Sequence, residues 1–183
     1  KKPLPLPTQI LVYASDIIKS FWWLLIIIIG VGGYFFRKYL ATERAKLEID
    51  RLKLRVPVFG TLFKKLYMAR FCRTMNTLLA SGIPMLQALE TTKNAVGNRI
   101  IAADVVEVIS GVRGGKNLSN SLEKQPHFHP LVGQMAGVGE ESGAIDDMLG
   151  RAAGYFEDEV DEAVKNLSTT LEPTMMVVLG IIV

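Results

Sequence analysis

Redox and metal chemistry have little to work with in this chain, whose 183 residues include one cysteine and two histidines. A lone Cys72 cannot build a disulfide framework; it reads as a small buried apolar residue in a reducing compartment. His127 and His129 stand two apart in a proline-bounded loop, with no cysteine to join them and no acid within three residues. That pattern favours a plain loop over a metal centre. No serine occupies a nucleophile elbow, and nothing stands by a histidine as a triad requires. No stretch of useful length alternates apolar with polar residues, so an extensive sheet is excluded. Acids are missing between Asp50 and Glu90, where seven Lys or Arg stand; between Glu140 and Glu162, nine acids meet only Arg151.

One segment lacks charge altogether. Phe21 to Phe36 contains neither a charged residue nor an amide, and Arg37 and Lys38 follow at once. Sixteen residues make about 24 Å of helix, and with Ile17 and Ile18 the run reaches the length of a bilayer span. Trp22 and Trp23 at one end, with Tyr34, Arg37 and Lys38 at the other, suit the two interfaces. Residues 17–36 are therefore expected to form a transmembrane helix. Residues 37–55 carry seven bases against three acids, which places them in the cytoplasm and residues 1–16 outside it. Bases beside a bilayer are explained by anionic lipid, and no nucleic-acid-binding motif accompanies them.

The rest of the chain reads as helices joined by turns of two to six residues. Residues 37–55 form a juxtamembrane helix, and Pro57 and Gly60 break the path after it. Met68, Phe71, Met75, Leu78 and Leu79 repeat at helical spacing over about 62–80. Gly82 stops that helix and Pro84 opens the next, over 84–96. Gly97-Asn98 turns into a third helix with Ile101, Val105 and Val108. Asn117 is placed to cap a short fourth helix. Leu131 to Val138 is a small-residue helix, Gly143 interrupts it, and a long last helix runs from about Ala144 to Leu171. Six helices over 56–170 predict an all-α, antiparallel cytoplasmic bundle. A second apolar run, Thr174 to Val183, marks residues 171–183 as the start of a truncated transmembrane helix.

Two glycine-rich segments imitate nucleotide sites and fail. Gly111-Val112-Arg113-Gly114-Gly115-Lys116-Asn117 has Ser110 where a phosphate loop begins with glycine, and Asn117 offers no hydroxyl to magnesium. Gly137-Val138-Gly139-Glu140-Glu141-Ser142 lacks both the last glycine of a dinucleotide fingerprint and a preceding strand. No cofactor or catalytic centre is expected. The acids Glu140, Glu141, Asp146 and Asp147 carry more. Asp146 and Asp147 fall in the first turn of the last helix, where the helix dipole favours carboxylates. Beyond that structural role, the four acids are candidates to bind the basic residues Lys64, Lys65, Arg70 and Arg73, or a basic partner. A divalent cation is the third option, although the spacing is not that of an EF-hand loop.

Several motifs occur together and in order: Val56-Pro57-Val58-Phe59-Gly60, Ala69-Arg70-Phe71, Leu78-Leu79-Ala80-Ser81-Gly82-Ile83-Pro84 and Gly97-Asn98. They continue with Gly139-Glu140-Glu141-Ser142-Gly143, Met148-Leu149, Tyr155-Phe156-Glu157 and Leu171-Glu172-Pro173. In these the chain resembles the PilC/GspF family, inner-membrane platform proteins of type IV pili and type II secretion systems. It departs from the family pattern at His127-Phe128-His129-Pro130, where Phe-Pro is usual. The resemblance implies a non-enzymatic, multi-pass protein of the bacterial inner membrane, with its helical domain in the cytoplasm. This chain would be the second half of a duplicated design. Implied partners are a hexameric assembly or retraction ATPase, pilins or pseudopilins, other inner-membrane assembly proteins and further copies of the chain; nucleic acid is not among them. Glu172 before Pro173 stands at a membrane entrance. It either caps an interfacial helix or marks a kink and meets the positive N-terminus of a pilin or another platform subunit.

Overall fold

A computed structural model describes residue 37 and residues 42–57 and 59–182. The expected span over 17–36 and the link over 1–16 lie outside these residues. Among the described residues there are seven helices and no strand. They are α1 (Glu43–Arg55), α2 (Phe59–Ala80), α3 (Met85–Ala95), α4 (Arg99–Arg113), α5 (Leu118–Glu123), α6 (Pro130–Ser142) and α7 (Ile145–Ile182). The chain is all-α. It divides at Lys46/Leu47 into two compact units, so the second begins inside α1, ahead of the boundary expected at 56.

Within the second unit, helical periodicity builds one core. Tyr67, Met68, Phe71, Cys72 and Met75 recur at spacings of one, three and four along α2 and are all buried. Ala88 and Leu89 of α3, Ile101, Val105 and Val108 of α4, and Leu118 and Leu122 of α5 join them. Val132 and Ala136 of α6 and Leu149, Ala152, Ala153 and Phe156 of α7 complete the set. Phe71 meets Phe128 edge to face, with ring centroids 4.9 Å apart. Burying each of these large side chains contributes about 2 kcal/mol, so the core outweighs any single polar contact described below.

Chain neighbours pack against one another from α2 to α7, and α2 packs extensively on α7 to close the arrangement. Lys65 meets Glu159 whereas Asn76 meets Asp146, so these two helices run antiparallel. Gly60, read from sequence as a breaker, instead lies buried as the second residue of α2, its N–H donating to the Val56 carbonyl at 2.6 Å. Pro57 lies in the turn before it, and the Phe59 N–H donates to its carbonyl at 2.9 Å. Pro84 precedes α3, and Gly82 sits in the α2–α3 turn at φ +80°.

The last helix does not stop near Leu171. It continues through Glu172 and Pro173 to Ile182. Among the described residues no helix is long and apolar enough to cross a membrane.

Candidate functional site

The Gly139–Gly143 motif forms the corner between α6 and α7. Gly143 ends α6 in the left-handed region at φ +73°, and the N–H groups of Gly143 and Ala144 both turn back to the Gly139 carbonyl. This is the hydrogen-bond pattern that a glycine stop permits. Gly139 itself faces the incoming chain so closely that a Cβ there would lie 2.6 Å from the Ile145 Cα. The motif's first acid then reaches a third helix. Glu140 accepts from the Leu118 N–H (2.5 Å), the Ser119 N–H (3.3 Å) and the Ser119 hydroxyl (2.5 Å). It is therefore the cap of α5. The cap expected from Asn117 is not formed, because that residue's side chain accepts no hydrogen bond from the helix start. A carboxylate at a helix N-terminus satisfies orphan donors and the dipole together.

A polar seam joins α2 to α7 above the core. Arg73 donates to Glu157 with two nitrogens, Nε to Oε1 at 2.9 Å and Nη2 to Oε2 at 2.5 Å. That fork-on-carboxylate geometry is the strong form of an ion pair. The hydrogen bond from Arg73 holds the Glu157 carboxyl below its ordinary range, and the same bond raises the guanidinium. Lys65 pairs with Glu159 about two turns away along α2, and Asn76 Nδ2 donates to the Asp146 carbonyl at 2.8 Å. Cys72 lies beneath this seam, and burial pushes its thiol up to about 12.

α1 is tied to α4 through a buried acid. The Asp50 carboxylate accepts from the Arg99 N–H (3.1 Å) and from Lys53 Nζ (3.1 Å), and its backbone carbonyl accepts from Asn98 Nδ2 at 3.2 Å. Asn98 uses its side-chain oxygen, Oδ1, to cap α4, accepting from the Ile100 and Ile101 N–H groups at 2.9 and 3.3 Å. One asparagine thus starts a helix and holds another. Asp104 of α4 plays the comparable part for the histidine loop. Its Oδ2 meets His127 Nδ1 at 2.9 Å and accepts from the His127 N–H at 3.3 Å. His129 accepts from the Leu131 N–H as the cap of α6 and lies edge-on to Phe156. The two histidines are directed to different partners, and among the described residues no three metal-ligating side chains converge.

One of the readings left open by the sequence paired the basic residues of α2 with Glu140, Glu141, Asp146 and Asp147. The structure pairs them otherwise. Lys65 and Arg73 are taken by Glu159 and Glu157, Asp147 is bonded to Arg151 at 3.2 Å, and Glu140 caps α5. The reason is register: Asp146 and Asp147 begin α7 beside the end of α2, whereas the bases lie nearer its start and middle. Lys64, Arg70 and Glu141 are exposed, with no ion-pair partner among the described residues. Sequence reasoning passed over Asp50, Asp104, Glu157 and Glu159 as individual residues. For Asp104 a signal existed, since a lone acid on the apolar face of a helix needs a donor.

The family model described as "Type II secretion system (T2SS), protein F" matches residues 71–183. A type IV pilus assembly protein PilC of Thermus thermophilus is 40% identical over 98% of this chain and 45% of its own length. In Pseudomonas aeruginosa, a type IV pilus assembly protein PilC is 36% identical over 98% of this chain and 48% of its own length. The type II secretion system protein F of the same organism is 34% identical over 98% of the chain and 44% of its own. The chain thus spans a little under half the length of these relatives.

Proposed function

Because this chain belongs to the family of type II secretion system protein F, we propose that it serves as a platform subunit for type IV pilus assembly. In this reading it couples a cytoplasmic hexameric ATPase to the insertion or extraction of pilin subunits, and it has no catalytic role of its own. The observation that carries the reading is the match, in order and over nearly the whole chain, to a relative named for pilus assembly. A type II secretion platform is the second reading, favoured by the family model's description and by the 34% identity to a secretion protein.

The proposed arrangement is a multi-pass protein of the bacterial inner membrane, with residues 17–36 and 171–183 in the bilayer and the helical domain, which begins at Leu47, in the cytoplasm. Charge asymmetry supports the orientation. Mechanically, the proposal needs a domain that passes displacement on without absorbing it. The forked Arg73–Glu157 pair, the Glu140 cap and the close Gly139 corner supply that stiffness between α2, α5, α6 and α7. Because α7 is one helix from Ile145 to Ile182, a push on the domain would arrive at Glu172 and Pro173, where we place the contact with a pilin or another platform subunit. Arg70 and Glu141 are exposed and outside the ion pairs above, which leaves them open to a partner protein.

Deleting the gene in its own host and imaging the cell surface tests the proposal. Fibres should be lost and restored by the intact gene, and the ATPase should co-purify with the tagged protein. Wild-type fibres in the deletion strain, together with intact secretion, would overturn both readings; intact fibres with failed secretion would select the second.

A further inference from the structure

A cleft lies where the end of α1, the start of α2, the start of α4 and the histidine loop meet. Its volume is about 520 Å³, within the range of small-molecule sites, and it is lined by Arg51, Arg55, Lys64 and His127 with Leu54 and Ile100. A second cavity of about 190 Å³ shares Lys64 and His127 with it. No carboxylate lines either cavity. Arg51 is bonded to Glu48 at 2.9 Å, whereas Arg55 and Lys64 have no ion-pair partner among the described residues. The Asp104 carboxylate engages Nδ1 of His127 and leaves Nε2 as that ring's remaining polar atom.

We propose that this cleft binds a phosphate group, carried by a small soluble phosphoester or by the headgroup of an anionic lipid. Arg51 and Arg55 are one helical turn apart on α1, so both guanidinium groups project from the same face. Lys64 and His127 approach from two other elements. The cationic donors of α1 and of Lys64 enter from two elements and outnumber what the two oxygens of one carboxylate accept, while His127 closes a third side of the cleft. They suit the tetrahedral oxygens of a phosphate, and arginine forks match phosphate edges in particular. The cavity is larger than a bare anion, and Leu54 and Ile100 offer apolar surface to the organic arm of an ester. The surplus of base between Asp50 and Glu90 thereby acquires a local purpose. Lys65 and Arg73 of that segment hold α7, while Arg55 and Lys64 are left for an anion.

The intact protein, placed in phosphatidylcholine nanodiscs, allows the test. The His127 ring resonances are assigned by comparison with His127→Asn. Adding inorganic phosphate or glycerol 3-phosphate should move them in a saturable way if the ligand is soluble. Movement only when phosphatidylglycerol is included in the bilayer would identify a lipid headgroup. In either case Arg55→Gln and Lys64→Gln, both at exposed positions, should weaken the effect about tenfold, the size of one lost charge-assisted contact. Lys124→Gln, exposed and outside both cavities, should leave it unchanged. Equal binding by all three variants overturns the proposal. So does a His127 response to a polyglutamate peptide with none to phosphate or phosphatidylglycerol.

Discussion

At the scale of single residues, the two glycines that bound the Gly139–Gly143 motif are there for different reasons, and the difference is measurable. Gly143 needs its φ of +73°, yet nothing lies within 4 Å of where a Cβ would be. Gly143→Ala therefore meets only the left-handed backbone penalty, about 1 kcal/mol. Gly139 is helical, and its absent Cβ would sit 2.6 Å from the Ile145 Cα, a backbone atom that cannot rotate aside. Gly139→Ala must push α7 off α6 and should cost about 3 kcal/mol, the upper end for overpacking. Urea unfolding of the two variants checks the order, and a Gly143→Ala loss exceeding that of Gly139→Ala would mean the corner relaxes freely. Glu140→Ala is a third case. It strips two backbone donors and the Ser119 hydroxyl of their acceptor, and should lower stability by about 1–2 kcal/mol. The loss should be largest in hydrogen exchange at the Leu118 and Ser119 amides, since α5 has only six residues and one cap.

At the scale of helices, the α2–α7 seam carries a pH dependence whose sign follows from the Arg73 bond. Glu157 has a folded-state pKa depressed below its ordinary value of 4.5, so the unfolded chain takes up a proton first as pH falls. Its contribution to stability is present above about 4.5 and is lost as pH drops through the folded value. Both side chains are nearly half exposed, so screening limits the pair to about 0.5–1 kcal/mol. Glu157→Gln should thus be less stable than the parent at pH 7 and converge with it in the acid limb. A gap that persists unchanged to pH 2 would show that the loss is packing and not charge. The elements themselves were legible in the primary structure. Apolar spacing located α2, α3, α4 and α7, and Gly97-Asn98 and Gly143 marked ends that the coordinates keep. Pairing between elements was not legible. Glu157 was visible only as the end of a family motif and Glu159 only within an acidic run, because which acid meets Arg73 depends on the rotation of two helices about their axes. The same limit explains Asn117: a capping residue at the right place was outcompeted by Glu140, an acid 23 positions on that folding brings to the same N–H groups.

At the scale of the whole molecule, the start of the cooperative unit matters to the proposed role, in which displacement would have to cross parts that hold together. Patterning put the boundary at 56, after a helix that looked like a connector with mixed charge. The compact unit instead begins at Leu47, since Asp50 accepts from Arg99 and Asn98 at the start of α4, and Leu54 packs on the core. A fragment covering 47–166 should therefore melt in one transition. A fragment covering 56–166 loses both hydrogen bonds to α4 and the cover over Leu54's neighbours. Each hydrogen bond is worth about 1 kcal/mol net and the lost apolar burial of Leu54 adds a comparable amount. The sum, about 2–3 kcal/mol, corresponds to a melting temperature lower by about 10 °C in a domain of this size. Asp50→Ala within the longer fragment should reproduce the part of that loss due to the carboxylate, leaving the backbone acceptor for Asn98 in place. Calorimetry on the three proteins separates the terms. Equal melting temperatures for the two fragments would make α1 a passive connector, its bonds from Asp50 to the start of α4 adding nothing to the cooperative unit.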